Sequence, residues 1–232
     1  HQPDVMLLQE IKCEAHAFPL ETIEDLEYNI AIHGQKTFNG VAILSKSPIE
    51  DVQRGLSFFE EDVQARYIEA VTNGVRVASV YVPNGQAVGT DKYAYKLVFL
   101  ERLHQHLQSL LPYEEAVVIG GDYNIAPTDL DVADPKAWAG DVLCSIPERK
   151  AFQALLNLGY RDGFRIDHPD EKLYSWWDYR SQAWPNDAGL RIDHLLLSPQ
   201  ATDRLESTGI DKAPRGKEKA SDHAPVWCSI DV

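Results

Sequence analysis

A chain of 232 residues, 44% hydrophobic and 25% charged, has the length and composition of one α/β domain with a core of ordinary size. No apolar run approaches the roughly 20 residues of a membrane helix, which excludes a spanning helix and points away from a membrane partner. A net charge of −14, from 36 acidic and 22 basic residues, weighs against an unspecialised nucleic-acid binder, whose affinity comes from basic side chains facing phosphates.

The chain opens on His1 rather than Met and enters an apolar stretch at once, without the charged and then apolar layout of a signal peptide. It reads as a start inside a domain. Val5–Gln9 is the first expected strand, and a weak helix follows Pro19 through Leu26. Further strands are expected at Ile30–His33, Val41–Ser45, Arg66–Val71 and Val75–Val82, the last two joined by Asn73-Gly74, a strong two-residue hairpin signal. From Asp91 to Leu111, Leu100, Leu103, Leu107 and Leu110 recur at helical spacing and form one apolar stripe. Val117–Gly120 is a buried strand by its β-branched run. Ser145-Ile146-Pro147-Glu148 has capping-box spacing and starts a helix through Leu155, Leu156 and Leu158 that stops at Gly159. Strands at Leu173–Trp177, Ile192–Leu197 and Val226–Ile230 complete the set. With no repeat or linker, many strands and few helices imply a single domain over residues 1–232, sheets face to face with helices outside. Cys13, Cys144 and Cys228 stand far apart with no zinc spacing, which reads as reduced thiols in an intracellular, cytoplasmic protein.

Four polar groups stand at the ends of these apolar strands, where sheet proteins collect functional residues. Glu10 leaves the first strand. Asp122 and Asn124 follow Val117-Val118-Ile119-Gly120-Gly121 and point the same way if the chain stays extended, unless they are an Asp/Asn turn. Asp193 enters a strand in Arg191-Ile192-Asp193-His194, where a buried carboxylate needs a partner; His194 reads as a surface or packing residue. Asp222-His223 precedes the last strand, and in isolation a satisfied turn pair is the favoured reading of it.

Seven blocks, in order, resemble the motifs of the exodeoxyribonuclease III family: Gln9-Glu10-Ile11-Lys12-Cys13, Gly40 to Ser45, Tyr81-Val82-Pro83-Asn84-Gly85, Gly120 to Asp129, Ser175-Trp176-Trp177-Asp178-Tyr179-Arg180, Gly189 to Asp193 and Ser221-Asp222-His223-Ala224-Pro225. The acid, Gly-Asp-x-Asn and Ser-Asp-His blocks belong to the wider endonuclease/exonuclease/phosphatase superfamily. Pro127-Thr128-Asp129, the Trp-Trp-Asp-Tyr-Arg block and Leu190-Arg191-Ile192-Asp193 point to its DNA-repair branch.

The resemblance implies a four-layered α/β sandwich, two mixed sheets packed face to face with helices outside. It implies a Mg²⁺-dependent phosphodiesterase, with Mn²⁺ as the substitute ion. The substrate would be double-stranded DNA, at abasic sites and 3′ ends, and the chain would act as a monomer. Glu10 would be the principal metal carboxylate, with Asp222, Asp122 and Asn124 close to the metal or its waters. Asp122 would orient or deprotonate water, Asn124 would hold that water or the phosphate, and Asp193 would fix His223. Tyr81 and His223 would donate to phosphoryl oxygens, and Asn84 would contact phosphate. Trp176, Arg180 and Arg191 would contact DNA, with one ring of Trp176-Trp177 buried and one near the groove. Arg180, Arg191 and the basic run Lys212, Arg215, Lys217 and Lys219 should then share the side of Asp122. In the family a strand before the Gln-Glu block adds a metal-site Asn, and the given sequence starts after it. The alternatives are a phosphodiesterase of the same fold for small or lipid-linked phosphates, favoured by the acidic charge, and a non-catalytic DNA-damage binder.

Overall fold

The computed structural model describes all residues, His1–Val232. In chain order it forms β1 (Val5–Gln9), α1 (Leu20–Glu24), β2 (Asn29–His33), β3 (Val41–Ser45), β4 (Glu50–Arg54), β5 (Tyr67–Thr72), β6 (Val75–Tyr81), α2 (Asp91–Leu110), β7 (Val117–Asp122), α3 (Ile146–Asn157), β8 (Arg161–Asp162), α4 (Gly163–Asp167), β9 (Asp193–Leu197), α5 (Pro199–Thr202), β10 (Leu205–Ile210) and β11 (Val226–Ile230).

Strands β4-β5-β6-β7-β9-β8 make one six-stranded sheet, mixed because β6 and β7 run parallel while the other neighbours are antiparallel. The second β layer is antiparallel and comes in two pieces, β1-β3-β2 and β10-β11. Period-two alternation separates the faces of the large sheet. On one face Ala78, Val80, Val117, Ile119 and Leu196 meet the α2 stripe and Phe152 and Leu155 of α3. On the other, Val77, Val118, Leu195 and Leu197 meet Val5, Leu7, Val41 and Ile43 of the small sheet and Val226 and Cys228 of the ribbon. Leu100, Leu103 and Leu107 are at most 1% exposed, each contributing about 1.5–3 kcal/mol of burial. No helix is long and apolar enough to cross a membrane.

Local chemistry sets the element ends. Asn73 and Gly74 both take positive φ (49° and 74°), as a hairpin that follows strand twist requires. Thr90 caps α2 by accepting from the Tyr93 amide, and Ser145 and Glu148 form the capping box of α3. The three cysteines are free.

Two expectations on elements change. Leu173–Trp177 is no strand: only Trp176 bridges, to Leu190 on one side and His223 on the other. Its backbone stitches two separate segments together, one residue deep, so no ladder propagates. β4, β8 and β10 went unforeseen because Glu50-Asp51-Val52-Gln53-Arg54, Arg161-Asp162 and Leu205-Glu206-Ser207-Thr208 have almost no apolar alternation; the sheet edges that they form tolerate it.

Gly121 joins this scaffold to the site. Its φ is +153°, and a Cβ added there would lie 1.9 Å from the Val80 carbonyl oxygen, a backbone atom that cannot swing aside. Gly121→Ala is therefore expected to lower stability by about 2–3 kcal/mol and to disturb Asp122 next to it. A denaturant midpoint unchanged from wild type would refute this.

Candidate active site

The register of the large sheet places three polar residues side by side. Tyr81 of β6 pairs with Asp122 of β7, and Asp122 pairs with Asp193 of β9. All three lie on the face that packs against the second β layer, one pleat beyond Ser79, Gly120 and Leu195. Where the apolar filling stops, a polar row begins. Gly120 permits the close meeting of the layers: Leu7 and Leu195 fill the space that a side chain there would occupy.

Glu10 faces this row from the opposite layer. It follows the last residue of β1 and adopts φ 51°, which turns its carboxylate toward the large sheet. Oε1 accepts from the Tyr81 hydroxyl at 2.8 Å, and Oε2 pairs with the Lys12 ammonium at 2.8 Å. Partial burial resists ionisation, but those two donors hold the Glu10 carboxyl below its ordinary range. Burial, with the charges of Asp122 and Glu10, pushes the Tyr81 phenol far above its usual range, so it stays a donor.

Asp122 is 5% exposed. Its Oδ1 accepts from the Asn124 backbone N–H at 2.8 Å and its Oδ2 from Asn124 Nδ2 at 2.9 Å. Burial raises its pKa to about 7, the charge of Asp193 adding to the rise while His223 opposes it. A carboxyl poised near neutrality suits a general base. Asn124 Nδ2 also donates to the Val82 carbonyl at 3.0 Å, and Asn84 Nδ2 donates to Asn124 Oδ1 at 2.9 Å. Both N–H groups of the Asn124 amide are thus engaged within the protein, while Asn84 is exposed.

His223 enters from the segment before β11, and its Nδ1 donates to Asp193 Oδ1 and Oδ2 at 3.0 and 2.9 Å. Burial disfavours the cation, yet the charge and hydrogen bond of Asp193 raise the His223 pKa to about 10. At neutral pH the ring is a cation with Nε2 as its remaining donor. Ser175 holds Asp193 in turn: its hydroxyl donates to Oδ2 at 2.6 Å and accepts from the Ile192 and Asp193 amides at 3.1 Å each.

Asp222 Oδ2 accepts from Trp176 Nε1 at 3.0 Å, and Asp222 joins Glu10 in raising the pKa of Lys12. One ammonium therefore lies in the field of both carboxylates. No group of three or more His, Cys, Asp or Glu side chains converges into a metal cage. A cation fitted by this donor set is hard and oxygen-seeking, held by one or two carboxylates and completed by water and phosphate oxygens. Glu10 and Asp222 fit that description.

The expected DNA-contact residues divide. Trp177 is fully buried, while Trp176 is half-buried beside Asp222. Tyr179 and Arg180 are exposed; the Tyr179 hydroxyl donates to the Ala220 carbonyl, and Arg180 folds onto Asp178. Arg191 is a correction: its side chain is buried in the fold rather than presented at a contact surface. At 1% exposure it bonds Asp131 through Nε at 2.7 Å and Asp162 through both terminal nitrogens at 3.1 and 2.7 Å, and it donates to His194 Nδ1 at 3.0 Å. Its charge is consumed inside the fold. Burial opposes ionisation of Asp131, but Arg191 and Arg165 hold its carboxyl at about 2. His194 packs on Tyr123 and Phe152 and stays neutral, since burial and Arg191 lower its pKa to about 4. Arg215 is also buried, donating to the Trp177 carbonyl, and so leaves the basic run.

Sequence reasoning assigned no role to Lys12 or Ser175, although both stand inside quoted blocks. Ser175 carried the better signal, being a small hydroxyl beside two tryptophans.

The profile of the Endonuclease/Exonuclease/phosphatase family matches residues 1–223. The chain is similar to exodeoxyribonuclease III of Haemophilus influenzae, at 38% identity over 99% of this chain and 91% of that protein. Among solved structures it is similar to the 3′ phosphatase NExo from Neisseria bound to a product DNA hairpin, with 40% identity, a TM-score of 0.97, and 99% of this chain and 90% of that one covered. It is also similar to an AP endonuclease from Archaeoglobus fulgidus, with 37% identity, a TM-score of 0.95 and the same coverage.

Three outcomes follow from this geometry. Asp193→Asn keeps shape and removes charge, so the His223 pKa should fall from about 10 and the alkaline limb of the pH–rate profile should move to lower pH. His223→Asn combined with Asp193→Asn should be little worse than His223→Asn alone; clean multiplication of the two defects would mean independent residues. Arg191→Met should cost about 3–5 kcal/mol of stability, because two carboxylates are left buried without their cation. A variant as stable as wild type with impaired substrate binding would restore Arg191 to the contact surface.

Proposed function

The chain belongs to the Endonuclease/Exonuclease/phosphatase family, as a metal-dependent DNA repair nuclease of the exodeoxyribonuclease III type, and from that premise we propose how its site works. The row Tyr81–Asp122–Asp193, faced by Glu10 across the two β layers, is the observation that carries the proposal.

Hydrolysis of a phosphodiester needs a deprotonated water, neutralised phosphoryl oxygens and a stabilised leaving alkoxide. Asp122 takes the proton from the attacking water; its raised pKa matches that task at neutral pH. Asn124 serves by holding both oxygens of Asp122. His223 and Tyr81 donate to phosphoryl oxygens, His223 as a cation kept charged by Asp193 and Tyr81 as a phenol kept protonated by its carboxylate neighbours. Asn84 offers its second amide N–H to the phosphate. Glu10, with Asp222 beside it, would hold Mg²⁺, or Mn²⁺ in its place; when bound the ion supplies charge neutralisation at phosphate and leaving oxygen.

DNA is preferred here over a small phosphate ester because an exposed ledge borders the site. Tyr179 and Arg180 lie in the segment whose Trp176 bonds Asp222. An aromatic face beside a guanidinium suits a nucleic-acid backbone and base. With the acidic total concentrated elsewhere by this reading, basic side chains facing the phosphates should make substrate binding weaken steeply with salt. Abasic sites and 3′ ends as targets, action as a single copy, and an intracellular location where DNA is found belong to the same reading.

The test is incision of a 5′-labelled abasic duplex and removal of a 3′-phosphate, each with Mg²⁺, with Mn²⁺ and with a chelator. Cleavage is expected only with added metal. Glu10→Gln should fold normally and lose most of that activity at ordinary Mg²⁺ levels; full turnover in that variant would remove Glu10 from the metal site. Absence of cleavage of both DNA substrates by the wild-type chain with either ion would overturn the reading.

A further inference from the structure

Lys96 is a fully buried lysine on the apolar face of α2, four residues before Leu100 in the stripe. An ammonium in a protein interior needs three acceptors, and Nζ has three: the Asn124 carbonyl at 2.6 Å, the Asn84 carbonyl at 3.1 Å and Glu148 Oε1 at 2.5 Å. Two of them are the backbones of the two site asparagines, which leave different strands and are joined to each other by a side-chain hydrogen bond.

The rest of the cluster fixes the ammonium. Glu148 accepts from the Leu143 amide at 3.0 Å and the Ser145 amide at 3.1 Å, so the same carboxylate closes the capping box of α3. The loop after Asn84 wraps the lysine stem: a Cβ on Gly85 would lie 3.1 Å from Lys96 Cδ. Asn124, held at φ 51°, is then clamped on four sides, by Lys96 at its carbonyl, by Asp122 at its backbone and side-chain N–H, by Val82 at its amide and by Asn84 at its side-chain oxygen.

We propose that Lys96 is a positioning residue of the active site: its ammonium ties the backbones of Asn84 and Asn124 together and thereby sets the Asp122 carboxylate and the Asn84 amide against the phosphate. The alternative is an ion pair with Glu148 that holds α2 to α3 and nothing more. The inference rests on the nuclease reading above, and every comparison below is made against wild-type cleavage; a wild type without cleavage would indict that reading, not this one.

Lys96→Met alone leaves Glu148 buried without a cation and is at risk of unfolding. The variant to build is Lys96→Met with Glu148→Gln, which removes both charges, keeps an acceptor for the α3 cap, and deletes the tethers to Asn84 and Asn124. Glu148→Gln alone keeps the tethers and loses the ion pair. At a temperature where near-ultraviolet dichroism shows native packing, the double variant should lose about ten- to a hundredfold in kcat, the scale of a small misplacement at a reacting centre. Its KM should stay within about threefold, and Glu148→Gln should keep kcat within about threefold. In an Asn124→Ala background, which keeps the carbonyl that Lys96 holds but deletes the side-chain links to Asn84 and Asp122, the Lys96→Met/Glu148→Gln pair should cost less than it does in wild type, because the tethered backbone no longer sets those groups. In a proton–nitrogen correlation spectrum the Asn124 side-chain amide should shift in the double variant and not in Glu148→Gln. A folded double variant with wild-type kcat, an undiminished effect in the Asn124→Ala background, or failure of the double variant to fold at any temperature each assigns Lys96 to the helix ion pair and overturns the proposal.

Discussion

The alignment of β6, β7 and β9 at a single register is the constraint on which the rest of the molecule depends. Tyr81, Asp122 and Asp193 share one pleat only because Val77, Val118 and Leu195 share others on the same face. A slip of one residue in any pairing would send a carboxylate or phenol into the helix-side core and an apolar residue into the site. The core thus pins the polar row. The parallel pairing of β6 and β7, with α2 as the crossover, brings Tyr81 and Asp122 out at the same end of the sheet. The antiparallel return of β9 brings Asp193 in there at its start. Two glycines permit the approach of neighbours, Gly120 for Leu7 of the opposite layer and Leu195 of its own sheet, and Gly121 for the Val80 carbonyl.

Around this row, buried charges do work that apolar contacts cannot, since they fix loop backbones at defined angles. Arg191 joins the Asp131 loop to Asp162 at the entry of α4. Lys96 joins α2 and α3 to the two strand exits. On the helix side of the large sheet, Glu69 bonds His106, Tyr67 and Arg76 between sheet and helix. Each such group carries a desolvation cost close to what its partners return, so its net contribution to stability is small; its removal is costly because a partner is stranded. The saturation of donors explains why they are tolerated: Lys96 uses all three of its hydrogens, and Arg191 bonds through Nε and both terminal nitrogens.

The electrostatics of the row are asymmetric by design of its neighbours. Asp193 is next to Asp122, and two carboxylates so placed resist ionising together. His223 stands against Asp193, so the protonated member of the site is the imidazole, while Asp122 is left near neutrality and able to accept a proton. An acid and a base with separated affinities arise from one histidine and two aspartates. Lys12 plays a comparable part on the opposite layer, where a single ammonium is balanced between Glu10 and Asp222. The overall charge of −14 is therefore no guide to the local field at the row.

Local features are legible in the chain alone, because they depend on neighbours a few residues apart. The Asn73-Gly74 hairpin needs only positive φ at two positions. The capping box of Ser145 and Glu148 and the Leu100–Leu110 stripe follow from helical spacing, and the strand-terminal acids announced where a site would gather. The ordered blocks further identified Glu10, Asp122, Asn124, Asp193 and His223 as members of one constellation. What those residues contact was decided only by tertiary structure. Arg191 and Arg180 are both arginines in motif blocks, yet one is enclosed by two carboxylates 29 and 60 residues away in sequence and the other faces solvent. Trp176 and Trp177 are adjacent, and only the double bridging of Trp176 sends one ring to Asp222 and the other into the core. Lys96 drew no reading from the sequence, and its role rests on two strand exits that pass over it. Contacts between segments distant in the chain have no local signature, since any lysine or arginine satisfies helix and strand periodicity equally well whether its charge ends in water or among carbonyls.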